Sequence, residues 1–203
     1  AVSGLATRLL AREDKNQVAG IYGAGVQAQM QLWGVSEARQ LERALVYDAY
    51  PDTAAQFAQS MSQKLGIPVE AAARPEELYD ADIICTATSS ATPILDGSKI
   101  KPGAHINGIG SHAPKARELD SAIIQRSLLI ADSREACLSE AGDIILPIQE
   151  GVITADHIHA DLGEIVTHKK PGRTSRDQIT LFKSNGLAIQ DTATALLVYQ
   201  KAK

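Results

Sequence analysis

The stretch VAGIYGAGVQAQM, residues 18–30, decides how the chain is read. Val18 to Tyr22 is a short apolar run of strand type, and from about Val26 to Arg39 the pattern turns helical. Between them GAGVQA, Gly23 to Ala28, is a GxGxxA turn. Gly23 permits a tight turn, Gly25 lets the backbone approach a pyrophosphate, and Ala28 allows close packing of helix on strand. The helix then starts with free N–H groups and its positive dipole end toward that turn. Glycine turns before helices also occur as structure alone, and the next acid separates the two readings. Asp48 ends the following apolar run, ALVYD (44–48), 20 residues past Ala28. A carboxylate there accepts hydrogen bonds from an adenosine ribose and repels a 2'-phosphate, so the spacing predicts NAD in preference to NADP.

Short apolar runs and longer helical ones continue to alternate along the chain, the signature of βαβ units and a parallel sheet. A helix is predicted over 51–65, with Pro51 at a favoured N-terminal position. Strands are predicted at PVEAA (68–72), DIICTAT (82–88), HINGI (105–109) and LLIAD (128–132). Short helices fall around Pro75 to Tyr79, Ser98, and Asp120 to Gln125. Nearly continuous apolar runs suit strands covered on both faces. The expected class is α/β, a doubly wound Rossmann-type parallel sheet with helices on both faces and an irregular C-terminal segment. From Ala136 to Arg176 the rhythm lapses into short helices and turns; QITLFKSNG then gives a strand and a turn, and a helix closes the chain from about Leu187 to Lys201.

Val2, Leu5, Ala6, Leu9 and Leu10 are helically spaced from the first residues, which are not led by Met. Residues 1–16 are therefore expected to be a helix linking to an upstream domain, 17–186 the nucleotide-binding domain, and 187–203 a closing helix. The apolar fraction of 44% is ordinary, and the net charge of -4 comes with basic residues scattered singly. That pattern argues against nucleic acid and against a polybasic membrane patch. No apolar stretch approaches the ~20 residues of a membrane span. Cys85 and Cys137 lie in apolar runs without a CxxC partner, as expected of reduced core thiols in a cytoplasmic protein. His157 and His159 have no apparent third ligand, so no metal site is expected.

Several longer stretches carry a resemblance: IYGAGVQAQ (21–29), CTATSSATPIL (85–95), KPGAHINGIGSHAPKARELD (101–120), ADSREACLSEAGD (131–143) and ITLFKSNGLAIQDTATALLVY (179–199). With these the chain resembles the ornithine cyclodeaminase and mu-crystallin family over all 203 positions. The resemblance implies a homodimer, built through an N-terminal domain that supplies much of the site for a small imino or amino acid. The closing helix would pack toward that domain. It also implies a cofactor cradle at Gly23, Ala24, Gly25, Val26 and Gln27, with Asp48 on the ribose. Thr86, Thr88, Ser89, Ile109, Lys183 and Ser184 would lie along the nicotinamide side. For the Thr/Ser run, turn chemistry alone is the competing explanation.

Within GIGSHAPKARELD (108–120), His112 follows the fifth strand and should stand at the carboxyl rim. The cyclodeaminases of the family resemble GGDxPGKxEL here, with an Asp where this chain has His112, and carry an acid where it has Lys183. Losing both carboxylates disfavours a cationic diamino acid by about a few kcal/mol. The resemblance thus points to reduction of cyclic ketimines, or to interconversion of oxo and amino acids as in alanine dehydrogenase. Ornithine cyclodeaminase and a non-enzymatic, crystallin-like binding protein are the alternatives. His112 would be a general acid or hydrogen-bond donor, since an imidazole suits proton transfer near neutrality; otherwise it is a solvent-facing loop residue. Arg117 or Arg173 could clamp a substrate carboxylate, though ion pairs that brace loops, as Arg117 with Glu118 would, are commoner.

Overall fold

The computed structural model describes residues 1–202. Eight strands form one sheet: β1 (Gln17–Tyr22), β2 (Leu41–Tyr47), β3 (Val69–Ala71), β4 (Ile83–Thr86), β5 (His105–Gly108), β6 (Ser127–Ala131), β7 (Ile158–Asp161) and β8 (Ile179–Lys183). Their order is β3-β2-β1-β4-β5-β8-β6-β7 and every pairing is parallel. Order reverses between β1 and β4, where doubly wound sheets open a ligand crevice beyond their carboxyl ends.

Side chains alternate between the two faces. Ala19 and Ile21 of β1, with Ile83 and Cys85 of β4, pack under α2 (Val26–Ala38) and α3 (Pro51–Leu65). On the same face Ile130 and Phe182 meet Ala6 and Leu10 of α1 (Val2–Leu10) and Ile165 of α7 (Leu162–Val166). The opposite face carries Tyr22, Ile84, Ile106, Leu129 and Leu181. These pack against α4 (Ser121–Arg126), α5 (Arg134–Glu140) and α6 (Gly142–Gln149). Helices therefore cover both faces, as the unbroken apolar runs require.

Three features differ from the sequence reading. β7 forms inside the stretch expected to hold only short helices and turns, pairing with β6 through Leu129 and Ile158. Around Ser98 the chain makes a turn held by Asp96, whose Oδ1 accepts from the Ser98 N–H at 3.0 Å, rather than a helix. The segment Pro75–Leu78 is a single 3-10 turn.

α1 is packed into the domain. Asn107 Nδ2 of β5 donates to Thr7 Oγ1 at 3.1 Å, and Arg39 donates to the carbonyls of Arg8, Ala11 and Arg12. By contrast α8 (Ala188–Lys201) buries none of its residues. Lys203, the end of the segment read as the closing helix, lies outside the described residues. Both cysteines are free and buried, and burial pushes each thiol up to about 12.

Candidate active site

The GxGxxA turn stands at the mouth of the crevice between β1 and β4. Gly23 adopts φ +93°, and a Cβ there would come within 2.6 Å of the Ala87 carbonyl oxygen, so the turn requires glycine. Gly25 is a different case. A Cβ at Gly25 would meet no protein atom within 4 Å, so the fold itself makes no demand for glycine. The space beside it belongs to a cavity of about 840 Å³ lined by Gly23 to Gln27, Asp48 and Ser89. Gly25 caps α2, no side chain caps that helix, and its first turn holds no acid. Open N–H groups and the dipole therefore face the cavity, which suits an anion such as a pyrophosphate. Ala28 is fully buried against the sheet, as the motif requires.

Asp48 sits one residue past β2 and does two jobs. Its Oδ2 accepts from the Ala24 N–H and its Oδ1 from the Tyr50 N–H, both at 2.9 Å. A carboxylate has about four acceptor positions, so Asp48 fixes the glycine turn and keeps capacity for ribose hydroxyls in the cavity.

A second cavity of about 770 Å³ adjoins the first, sharing Gln27, Ala87 and Thr88. Ile109, Gly110, His112 and Ser184 line it, with the starts of α1 and α8. His112 is exposed and its Nδ1 lies 2.9 Å from the Gly110 carbonyl oxygen. A carbonyl only accepts, so that nitrogen carries a proton. Nε2 is left as the exchangeable atom.

Not every residue expected at this rim faces a cavity. Thr86 is fully buried, with its hydroxyl donating to Glu118 Oε2 at 3.0 Å. Lys183 is fully buried too, and its ammonium lies 3.1 Å from Asp143 Oδ2. Lys183 therefore does not contact cofactor through its side chain. Its charge is neutralised by Asp143, and it no longer counts against a cationic substrate. Of the two departures from the cyclodeaminase pattern, only His112 changes the charge facing the cavity. Ser184 reaches the cavity wall, but its hydroxyl donates to Asp132 Oδ2 at 2.8 Å. The same oxygen accepts from the N–H groups of Asn185 and Gly186, shaping the turn after β8.

Glu118 is the residue that sequence patterns conceal, since an Arg-Glu pair in a polar loop reads as surface. It is fully buried. Oε1 accepts from the Thr88 N–H and hydroxyl, both at 2.6 Å, and Oε2 from the Gly110 N–H at 2.8 Å. Burial raises its pKa, with neighbouring Asp143 adding to the effect and the Thr88 and Thr86 hydrogen bonds opposing it. Arg117 pairs with Glu150 at 2.7 Å, and Arg173 donates to the carbonyls of Leu10 and Ala104 at the other end of the sheet. Both brace the fold. His157 donates from Nε2 to the Ile124 carbonyl at 2.8 Å, and His159 from Nε2 to that of Pro171 at 3.0 Å. Among the described residues no group of three His, Cys, Asp or Glu could hold a metal ion.

An open helix N-terminus over a glycine turn, an acid past β2, and a cleft at the strand-order reversal define a dinucleotide-binding domain of Rossmann type. The ornithine cyclodeaminase/mu-crystallin family model matches residues 1–203, and the chain belongs to that family. It is 40% identical, over 204 residues, to a Δ1-pyrroline-2-carboxylate reductase of Bacillus cereus, with 100% of this chain and 62% of that protein covered. An alanine dehydrogenase of Archaeoglobus fulgidus is 35% identical over 203 residues, again 62% of its length. Among solved structures, a Thermococcus litoralis Δ1-pyrroline-2-carboxylate reductase in complex with NADH and L-proline superposes with a TM-score of 0.96. It is 50% identical, with 99% of this chain and 62% of that one covered. The chain thus spans about 62% of the length of these relatives.

Proposed function

We propose that the chain is the nicotinamide-nucleotide portion of an NAD-dependent reductase acting on a small imino acid, with a cyclic ketimine carboxylate as the preferred substrate. The carrying observation is the pair of adjoining cavities. One end offers the open α2 N-terminus and Asp48, and the other presents His112 Nε2. When bound, a reduced nicotinamide supplies hydride to the carbon of a C=N bond. The backbone of Gly23 to Gln27 would hold the pyrophosphate and Asp48 the ribose; Thr88 lines both cavities and Ser89 the first. In its imidazolium form His112 would give its Nε2 proton to the imine nitrogen and return to the neutral ring, so that C=N gains one hydride and one proton and becomes an amine. The Gly110 carbonyl keeps Nδ1–H in place and so fixes which nitrogen transfers.

Similarity to reductases named for Δ1-pyrroline-2-carboxylate, one of them solved with NADH and L-proline, supports this reading. We further place the protein in the cytoplasm, where buried free thiols stay reduced, as a homodimer assembled outside this domain. The test is NADH oxidation by the full-length protein, followed by absorbance. Δ1-Pyrroline-2-carboxylate, Δ1-piperideine-2-carboxylate and pyruvate with ammonia are each offered. Turnover is expected with the cyclic ketimines, falling about 100-fold in His112→Ala. Asp48→Asn should raise the KM for NADH about tenfold and that for NADPH far less, because a 2'-phosphate no longer meets a negative charge. Proline formed from ornithine without net NADH change would instead make it a cyclodeaminase. Tight NADH binding with no turnover on any substrate would make it a binding protein.

A further inference from the structure

The loop that carries His112 has no helix or strand of its own between β5 and α4. Its tip, residues 112–115, is exposed. A general acid on irregular exposed backbone is hard to aim, yet this loop is fastened from beneath by three fully buried charged side chains. Lys183, at the end of β8, donates from Nζ to the Ser111 carbonyl at 2.6 Å and the Gly108 carbonyl at 3.3 Å. Asp143, in the first turn of α6, accepts through Oδ1 from the Glu118 N–H at 2.8 Å and the Leu119 N–H at 3.0 Å. Its Oδ2 faces Lys183 at 3.1 Å as an ion pair rather than an aligned hydrogen bond. Glu118 ties Gly110 to Thr88, two residues past the end of β4. The loop is thus held at Gly108, Gly110, Ser111, Glu118 and Leu119, and His112 follows directly on Ser111. A further bond, from the Ser111 hydroxyl to the Ala116 carbonyl at 2.6 Å, closes the tip on itself.

We propose that Lys183 and Asp143 are positioning residues for His112: their buried ion pair fixes the Ser111 carbonyl, and through it the direction in which the imidazole enters the second cavity. Burying an ammonium and a carboxylate is a poor route to stability, since apolar residues of similar size usually do as well or better. What the pair offers is a directed donor for two loop carbonyls, together with an acceptor for the loop's other end. Neither side chain lines the nucleotide cavity, so their effect should fall on the chemical step and spare cofactor binding.

This inference rests on the reductase reading, and the test separates the two. Lys183→Met alone strands Asp143 without its counter-charge, so the variant to use is Lys183→Met/Asp143→Asn. It leaves no charge at either substituted position and keeps an acceptor for the Glu118 and Leu119 N–H groups. In the full-length protein, kcat with Δ1-pyrroline-2-carboxylate is expected to fall about tenfold or more, as for a catalytic group displaced by roughly 1 Å. NADH affinity, measured by fluorescence titration, should stay within about twofold. In a His112→Ala background the same double substitution should change kcat by less than about twofold, because residues acting through one group are not additive. Lys183→Gln/Asp143→Asn restores a donor toward Ser111, and should recover at least about threefold of the lost kcat. It also serves as the second probe should the Met variant not fold. An unchanged kcat in a folded double variant, or an equal loss with and without His112, overturns the positioning role while leaving the reductase reading intact. A wild-type protein inactive on every ketimine overturns the reductase reading and this inference with it.

Discussion

His105 opens β5 and is fully buried, with Nδ1 2.9 Å from Thr180 Oγ1 and Nε2 without a partner. Burial pushes its pKa down to about 3, and the positive charge of Arg173 adds to the effect. Between about pH 6.5 and 3 the unfolded chain therefore binds a proton that the folded chain refuses. Stability falls as pH drops through that window, by at most about 1.4 kcal/mol per pH unit from this residue. His105→Leu removes the titration, and Thr180 Oγ1 keeps its bonds to Arg173 and the Leu10 carbonyl. Thermal midpoints at pH 7, 6 and 5 should show the wild type losing more stability on acidification than the variant; parallel profiles would exclude His105 as a source. At this scale the sequence is legible where a residue's task is local. Gly23, Asp48 and Ala28 could be read from spacing because a turn, a strand end and a helix-strand contact set their roles. Lys183 and Glu118 could not, because partners distant in sequence, Asp143 for one and Thr88 with Gly110 for the other, decide whether a charge faces solvent or the core.

Elements follow the same division. β1, β4, β5, β6 and β8 are largely buried on both faces, and their short runs are found as such; β2 is found through its second half, ALVY, although Glu42 in its first half is exposed. β7 reads IHAD, buried at Ile158 and Ala160 and half-exposed between, and its strand character comes from pairing with β6. No local pattern in four residues signals that. The packing of α1 on α2 is likewise invisible in sequence until Gly4 and Gly34 are seen to meet. A Cβ on Gly4 would come within 2.7 Å of the Gly34 carbonyl oxygen, a backbone atom that cannot move aside. A Cβ on Gly34 would sit at an ordinary 3.6 Å from the Gly4 nitrogen. The two glycines are therefore not equivalent. Gly4→Ala should destabilise by about 1–3 kcal/mol through overpacking. Gly34→Ala should be neutral, or stabilise by up to about 1 kcal/mol, because alanine is the better helix former. Urea unfolding of both variants checks this, and equal costs would show that the helices do not meet as closely as described.

For the whole molecule, the main imbalance is α8. Every other long helix buries a face, whereas α8 leaves Ile189, Leu196, Leu197 and Val198 more than half exposed. Leu5, Met30 and Trp33, on α1 and α2, are also partly exposed and line a shallow groove. Apolar side chains gathered on one helix cost about 25 cal/mol per Å² while they face water, which favours a covering surface. The relatives extend beyond the matched region by more than a third of their length. We propose that α8 packs against that additional portion, which would also bring the start of α8 and the second cavity under one roof. Hydrogen exchange compares the two contexts directly. In the full-length protein, amides of 188–201 should exchange much more slowly than in a 203-residue fragment, while those of β1 and β4 exchange alike in both. Deleting residues 188–203 should leave the unfolding midpoint of the domain unchanged, since no residue of α8 is buried. Equal protection of α8 in both contexts would mean that the rest of the protein docks elsewhere.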